Sequence, residues 1–145
     1  MPVRFFCEEI DFSVRHPRKT SNWLKESVKR EKSLILEINY IFCSNSYLLT
    51  LNQKFLLHNT FTDIITFDYS DGKSISGDIY IGPEMVEENS RKYDSIFEVE
   101  LRRVMIHGVL HLLGYNDKST SEKALMRKKE EAYLSLWKRM FHVKR

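Results

Sequence analysis

Two histidines one helical turn apart, His107 and His111, are the residues of this sequence whose types and spacing most directly suggest chemistry. An α-helix turns by about 100° per residue, so side chains four positions apart lie about 40° apart around its axis. A helix with this spacing can present two imidazole nitrogens to one divalent cation. Histidines that only pack in a core also occur at this spacing, so the pair alone leaves both interpretations open.

The residues that follow the pair favour a metal site. Gly114 comes three positions after His111, and Asp117 comes three positions later, so the segment has the pattern HxxxHxxGxxD. In zinc enzymes with this arrangement, a glycine turns the chain back and a third ligand reaches the metal. Three protein ligands leave a position for water, whose pKa a bound Zn²⁺ lowers toward about 7. The pattern predicts a hydrolytic site with one Zn²⁺, or another divalent cation, held by His107, His111 and Asp117.

The position after the first histidine distinguishes this segment from that of the zinc peptidases. Enzymes with the HExxH motif carry their general base, a glutamate, at this position. This sequence has Gly108 there. A peptidase or small-molecule metallohydrolase of that kind would lack its base, which argues against this class.

Hydrophobic periodicity predicts the elements that must position these side chains. Strands are predicted at residues 3–7, 33–43, 63–69 and 75–82, and helices at about 20–31, 46–57, 83–93, 97–113 and 119–141. The histidine pair lies on the most apolar of these helices, which Gly114 terminates. We expect an α+β fold, with a mixed sheet of about four strands covered by about five helices and the metal site at the end of a central helix.

The first and last helices carry local signals for their start. The first is predicted to open at Thr20, Ser21 or Asn22, which are residue types that cap helices. The last opens with Ser119 and Glu122, which have the spacing of a capping box. Its apolar face is predicted to comprise Leu125, Ala132, Leu136 and Met140.

The composition is that of a folded domain. Of the 145 residues, 42% are hydrophobic and 12% aromatic, so residues 1–145 are expected to form a single domain with one core. Trp23, Tyr133 and Trp137 fall at helical spacing in apolar stripes and are expected in that core. No apolar run approaches the roughly 20 residues of a membrane-spanning helix, and the first residues do not resemble a secretion signal. We therefore expect a cytoplasmic protein without membrane partners.

Four further cysteines and histidines are expected to carry no chemistry. Cys7 and Cys43 lack CxxC spacing and lie in apolar segments, so they are expected to be reduced, buried thiols. His16 and His142 lie in basic surroundings and are expected at the surface.

The net charge of +3 is unevenly distributed along the chain. Residues 15–32 hold seven Lys and Arg against two Glu, and residues 118–145 hold nine against three, whereas residues 63–101 hold ten acidic residues against three basic ones. Such runs are typical of solvated helix faces, but two basic segments in one small protein also suit a polyanion. The cluster Arg127, Lys128 and Lys129 is a candidate for contacts with nucleic-acid phosphates.

Two segments resemble the conserved motifs of a known family. Residues 107–117, HGVLHLLGYND, are similar to the signature HGxLHLxGYDH of the YbeY family. Leu51 and Asn52, followed by residues 61–67 (FTDIITF), are similar to the family pattern LN…PTDVLSF, and residues 77–79 match its GDI. The order and spacing of these motifs agree over residues 51–117, about half of the chain.

The resemblance implies a metal-dependent, single-strand-specific endoribonuclease of rRNA maturation, including the 3′ end of 16S rRNA, and of ribosome biogenesis. It implies RNA as the partner, either rRNA or the small ribosomal subunit, together with ribosome-associated proteins. Two positions depart from the family pattern, because Asp117 replaces the third histidine and Leu56 replaces an arginine. Because a general base is missing at Gly108 and the arginine at Leu56, an alternative remains, a ribosome- or RNA-associated binding protein with a structural metal and no turnover.

Three residues are candidates for catalytic roles beside the metal. Arg103 lies one turn before His107 on the same helical face and could take the place of the missing arginine, or else form an ion pair with Glu100 or another carboxylate. His58 precedes the third predicted strand and could carry a proton, or else be a solvated loop residue. Asp63 could orient a ligand or water, or else cap a turn.

Overall fold

The strands and helices follow one another in the order that the hydrophobic periodicity predicts. The computed structural model describes residues 2–58, 60 and 62–141, so His142 and Phe61 lie outside the described residues. The strands are β1 Val3–Glu8, β2 Leu34–Cys43, β3 Ile64–Asp68 and β4 Ser74–Ile81. The helices are α1 Pro17–Arg30, α2 Asn45–Leu56, α3 Pro83–Lys92, α4 Phe97–Leu112 and α5 Thr120–Phe141.

The four strands form one mixed sheet in the order β1-β2-β4-β3. Strand β2 pairs in parallel with both β1 and β4, while β3 and β4 form an antiparallel pair. The parallel pairs need long crossover connections, which helix α1 and the α2–β3 segment supply, whereas a short turn suffices between β3 and β4. The predicted α+β fold with a four-stranded mixed sheet is confirmed.

Helix α4 lies at the centre of the helical layer. It packs against β3 and β4 of the sheet and against α3 and α5 on either side. Its buried face includes Met105, Ile106, Val109 and Leu110. These contacts fix both the depth and the rotation of the helix that carries the histidine pair, as the prediction of a central helix requires.

The aromatic residues expected in the core lie there. Trp23 of α1 and Trp137 of α5 meet edge to face, with ring centroids 5.6 Å apart. The Trp23 indole N–H donates to the Tyr133 carbonyl oxygen at 2.7 Å, so the polar atom of this buried ring is satisfied. These two contacts link α1 to α5.

Helix α1 starts earlier than predicted. It begins at Pro17, and Thr20 and Ser21 are buried inside the helix and do not cap its start. Proline has no N–H to leave unpaired in the first turn and has a φ angle suited to a helix, so it can begin a helix without a side-chain cap. His16 precedes it and is exposed, as expected.

The buried face of α5 also differs from the prediction. Leu125 is 45% exposed and Ala132 is exposed, whereas Leu136 is buried as predicted. The buried residues of this helix are Met126, Glu130, Tyr133, Leu134, Leu136 and Trp137. The charged residue Glu130 thus faces the core. Because the prediction counts only apolar residues, it places the buried face of α5 at other positions of the helix.

The cysteines behave differently from each other. Both are free thiols, but Cys43 is buried and Cys7 is exposed, so the expectation of burial is wrong for Cys7. Cys7 lies on β1, which is an edge strand of the sheet. Within residues 2–58, 60 and 62–141, the structure contains no helix with the length and apolar character to span a membrane.

Candidate metal centre

A glycine turn at the end of α4 shapes the site. Gly114 has φ of +104°, a left-handed conformation that glycine adopts at little cost. Its N–H donates to the His111 carbonyl oxygen, and the Tyr115 N–H donates to the Leu110 carbonyl oxygen, both at 3.0 Å. This pair of hydrogen bonds is a Schellman motif, which ends the helix and reverses the chain. The segment that follows therefore returns past the end of α4 and brings Asp117 to the two histidines.

Three ligand atoms converge at this point. The Nε2 atoms of His107 and His111 are 3.0 Å apart, and the Asp117 Oδ2 atom lies 3.3 Å from the first and 3.4 Å from the second. In a tetrahedral site with bonds of about 2.0–2.1 Å, ligand atoms are about 3.3–3.4 Å apart. The donor set and its spacing therefore fit a divalent cation such as Zn²⁺.

Asp117 is available for the site because other residues cap α5. The Ser119 hydroxyl oxygen accepts from the Glu122 N–H at 3.1 Å, and the Glu122 carboxylate accepts from the Ser119 N–H at 2.9 Å. The predicted capping box is confirmed. Asp117 thus faces the histidines and does not cap the helix.

A buried carboxylate contacts the far side of the His107 ring. The Glu130 Oε2 atom lies 2.6 Å from His107 Nδ1, and its Oε1 atom accepts from Arg103 Nη1 at 3.1 Å. Burial by itself would lower the pKa of His107, but the hydrogen bond to Glu130 and its negative charge raise the pKa above its ordinary value. Sequence reasoning missed Glu130, although a signal existed. The residue continues the stripe of Met126, Tyr133, Leu134 and Trp137, where a charge needs a partner.

A cavity of about 220 Å³ adjoins His107 and contains two of the predicted catalytic residues. Asp63 and Arg103 line it, together with Glu100 and Arg127. The Asn89 side-chain amide donates to Asp63 at 3.3 Å, and burial raises the pKa of Asp63. Arg103 forms ion pairs with Glu130 and Glu131 and lies 3.9 Å from Glu100, as the ion-pair alternative anticipates.

A second cavity lies on the Asp117 side of the site. Its volume is about 310 Å³, and Asp117, Lys123, Arg127 and Glu130 are among the residues that line it. Neither this cavity nor the first is lined by His58, which is exposed in the loop after α2. Leu56, at the end of α2, is 46% exposed.

The structure explains why position 108 carries no glutamate. A Cβ atom on Gly108 would lie 3.1 Å from methyl groups of Ile64 and Ile79, so this position faces strands β3 and β4. The imidazoles lie on another face of α4. A general base at position 108 is incompatible with this packing.

This packing gives a stability prediction. We expect Gly108→Glu to lower the free energy of unfolding by more than about 4 kcal/mol, because the side chain would bury an unpaired charge in a filled space. Gly108→Ala should change stability by only about 1 kcal/mol or less, because the gain of about 1 kcal/mol in helix propensity offsets the small shifts required of Ile64 and Ile79. Ala132→Glu, at an exposed position of α5, serves as the control and should change stability by less than about 0.5 kcal/mol. Urea unfolding measures all three variants, and wild-type stability in Gly108→Glu would contradict the assigned orientation of α4.

Fold and site together describe an α+β protein with three candidate ligands, a number that catalytic zinc sites of hydrolases also use. Comparison with known proteins identifies the family within this class. The family model for endoribonuclease YbeY matches residues 7–138. The chain belongs to this family. The predicted family and its enzyme class, an endoribonuclease, are confirmed by this membership.

Relatives match over nearly the whole chain. The chain is 51% identical over 139 residues to an endoribonuclease YbeY from Flavobacterium psychrophilum, which covers 96% of each protein. It is 50% identical over 137 residues to one from Cytophaga hutchinsonii, covering 94% of this chain and 96% of the relative. The solution structure of a Thermotoga maritima protein is 29% identical with a TM-score of 0.70, and the match covers 97% of this chain and 91% of that one.

Proposed function

We propose that this chain is a metal-dependent endoribonuclease of single-stranded RNA, with residues 1–145 acting as one domain. His107, His111 and Asp117 would hold the cation, which we propose to be a single Zn²⁺. The observation that carries the proposal is the set of three ligand atoms 3.0–3.4 Å apart in a chain of the endoribonuclease YbeY family.

The number of ligands favours turnover over a purely structural metal. Structural zinc sites are closed by four protein ligands, whereas catalytic sites use three and leave one position open. Among the described residues, the group of candidate ligands at this point has three members, all partly exposed. The alternative of an RNA-binding protein with a structural metal is therefore not favoured.

The surrounding side chains have roles that fit this chemistry. A bound divalent cation supplies Lewis acidity, which makes water more acidic and stabilises negative charge on a phosphate. Asp63 would take up the proton of the attacking water, because its raised pKa brings its proton affinity closer to neutral pH. Arg127 lines the same cavity and would stabilise the charge that develops on the phosphate, and Arg103 would do so only in addition to its ion pairs with Glu130 and Glu131. A role for His58 as a proton carrier stays a prediction, because this side chain is exposed and lines neither of the two cavities.

The RNA substrate is proposed from the membership of this chain in the endoribonuclease YbeY family. We propose cytoplasmic processing of rRNA, including the 3′ end of 16S rRNA, as a step of ribosome biogenesis with ribosome-associated partners. The test uses protein purified without chelators or a metal-binding tag and an oligonucleotide spanning the mature 3′ end. We expect cleavage of the single strand, no cleavage of the matching duplex, and loss of activity with EDTA that Zn²⁺ restores. Undiminished cleavage after complete metal removal would contradict the proposal.

Basic residues beside the site should make RNA binding sensitive to salt. Lys123 and Arg127 line the cavity at Asp117, whereas Lys129 lies 3.0 Å from Glu31 and is already paired. We expect the affinity for single-stranded RNA to fall steeply between about 50 and 200 mM salt, because bound phosphates release counterions. Lys123→Ala and Arg127→Ala should each reduce the slope of log affinity against log salt by about 0.7 to 1.

Fluorescence anisotropy with a labelled oligonucleotide measures this slope. The control is Lys92→Ala, which removes an exposed charge at the end of α3 and should leave the slope unchanged. An affinity independent of salt in the parent protein would contradict the electrostatic part of the proposal.

A further inference from the structure

The geometry points to Glu130 as a positioning residue that sets the tautomer and the orientation of His107 for metal binding. This inference rests on the proposed metal centre. Glu130 lies 23 positions after His107, on helix α5, and is 5% exposed. Its carboxylate contacts the ring nitrogen that faces away from Asp117 and His111.

Both oxygens of this carboxylate have a defined partner. Oε2 lies 2.6 Å from His107 Nδ1, and Oε1 accepts from Arg103 at 3.1 Å. A carboxylate accepts hydrogen bonds but cannot donate one, and the Glu130 contact at Nδ1 is shorter than the Asp117 contact of 3.3 Å at Nε2, so the geometry favours the proton on His107 Nδ1. The lone pair of the neutral ring then lies on Nε2, the atom that faces the other two ligands. Arg103 compensates the negative charge that Glu130 brings into the interior.

The two histidines differ in this respect. Among the residues that the structure describes, the carboxylate that contacts His111 is that of Asp117, at Nε2 on the metal side. His107 alone has a second carboxylate behind its ring. Glu130 therefore orients the His107 ring before a metal binds. Loss of Glu130 should affect His107 as a ligand and leave His111 unaffected.

Glutamine cannot replace Glu130 in this arrangement. An amide has one acceptor oxygen and one NH₂ group, whereas His107 Nδ1–H and Arg103 Nη1–H both need an acceptor. Either the His107 Nδ1–H group or the Arg103 Nη1–H group would then face the amide NH₂ group, which is itself a donor. Partners of this kind typically contribute 10–100-fold to metal affinity.

The experiment measures Zn²⁺ binding to metal-free protein by competition with a chromophoric chelator. We expect Glu130→Gln to weaken Zn²⁺ binding by about 10–100-fold. The matched control is Glu131→Gln, because Glu131 also pairs with Arg103 but is exposed and is not a partner of His107. The control should bind Zn²⁺ with the affinity of the parent. Equal affinity in Glu130→Gln and Glu131→Gln would overturn the inference.

A measurement on the unaltered protein covers the case in which Glu130→Gln does not fold. Nitrogen-15 NMR of the histidine rings, at a pH where His107 is neutral, reports which nitrogen carries the proton. A proton on Nδ1 in the metal-free protein supports the inference, and a proton on Nε2 overturns it. A parent protein that binds no Zn²⁺ would refute the proposed function, while the tautomer would still decide the role of Glu130.

Discussion

His111→Ala should lose zinc binding and RNA cleavage together while keeping its fold. The His111 side chain is 29% exposed, and the polar contacts of its Nε2 atom are with His107 and Asp117, so its removal leaves no buried partner unsatisfied. With two of three ligands left, we expect Zn²⁺ affinity to fall by about 10³-fold. Elemental analysis and cleavage of single-stranded RNA measure the two losses, and circular dichroism checks the fold.

His16→Ala is the control for this variant. His16 is exposed before α1 and should be replaceable without loss of metal or activity. The double variant His107→Ala, His111→Ala should contain no zinc. Full zinc occupancy in the double variant would show that the cation binds elsewhere.

RNA binding by His111→Ala distinguishes the enzyme from the binding-protein alternative. Lys123 and Arg127 remain in place, so the variant should retain most of its affinity for single-stranded RNA. An enzyme would then bind without cleaving. If the parent protein also bound without cleaving, the alternative with a structural metal would be favoured.

The convergence of His107, His111 and Asp117, the candidate ligands, was predictable because its geometry is local. His107 and His111 lie on one helix, and the glycine that ends this helix is three residues away, so spacing alone indicates a shared face and a returning chain. The chain order of strands and helices was predictable for a similar reason, since each has its own hydrophobic period. Together, these local signals predict that the candidate metal site lies at the C-terminal end of the fourth helix.

Glu130 and the environment of Arg103 were not predictable in this way. The sequence indicates that Arg103 shares a face of α4 with His107, but the partner of that face is chosen by the packing of α4 against α5. Glu130 is 27 positions from Arg103, and although it continues the apolar stripe of α5, nothing in the sequence indicates which side chains of α4 it contacts. Side-chain contacts between different helices, even consecutive ones such as α4 and α5, therefore become visible only in the three-dimensional structure.

Asp117 is the proposed ligand at which the chain and the family signature differ, and its substitution by histidine should be tolerated. The turn at Gly114 is unaffected by the change, and the carboxylate already lies 3.3–3.4 Å from both imidazole nitrogens. An imidazole at position 117 would restore the family's own ligand type. We expect Asp117→His to keep its zinc and to cleave single-stranded RNA at least as fast as the parent.

The choice of metal should change as well. Carboxylate oxygen accommodates Mn²⁺ and Mg²⁺ better than imidazole nitrogen does, so Asp117→His should prefer Zn²⁺ more strongly than the parent. Competition between Zn²⁺ and Mn²⁺ for the metal-free proteins measures this preference.

Asp117→Ala supplies the opposite case. It removes the third ligand, but the helical pair is preorganised while Asp117 lies on a turn, so its loss of zinc should be smaller than that of either histidine variant. Cleavage should nevertheless fall sharply, because two ligands hold a cation less firmly in place. Zinc affinity and cleavage equal to the parent's in Asp117→Ala would contradict a role of Asp117 as a ligand. The spacing of 3.3–3.4 Å between Asp117 and the two histidines would then reflect hydrogen bonding, and the third ligand of the histidine pair would have to come from another part of the chain.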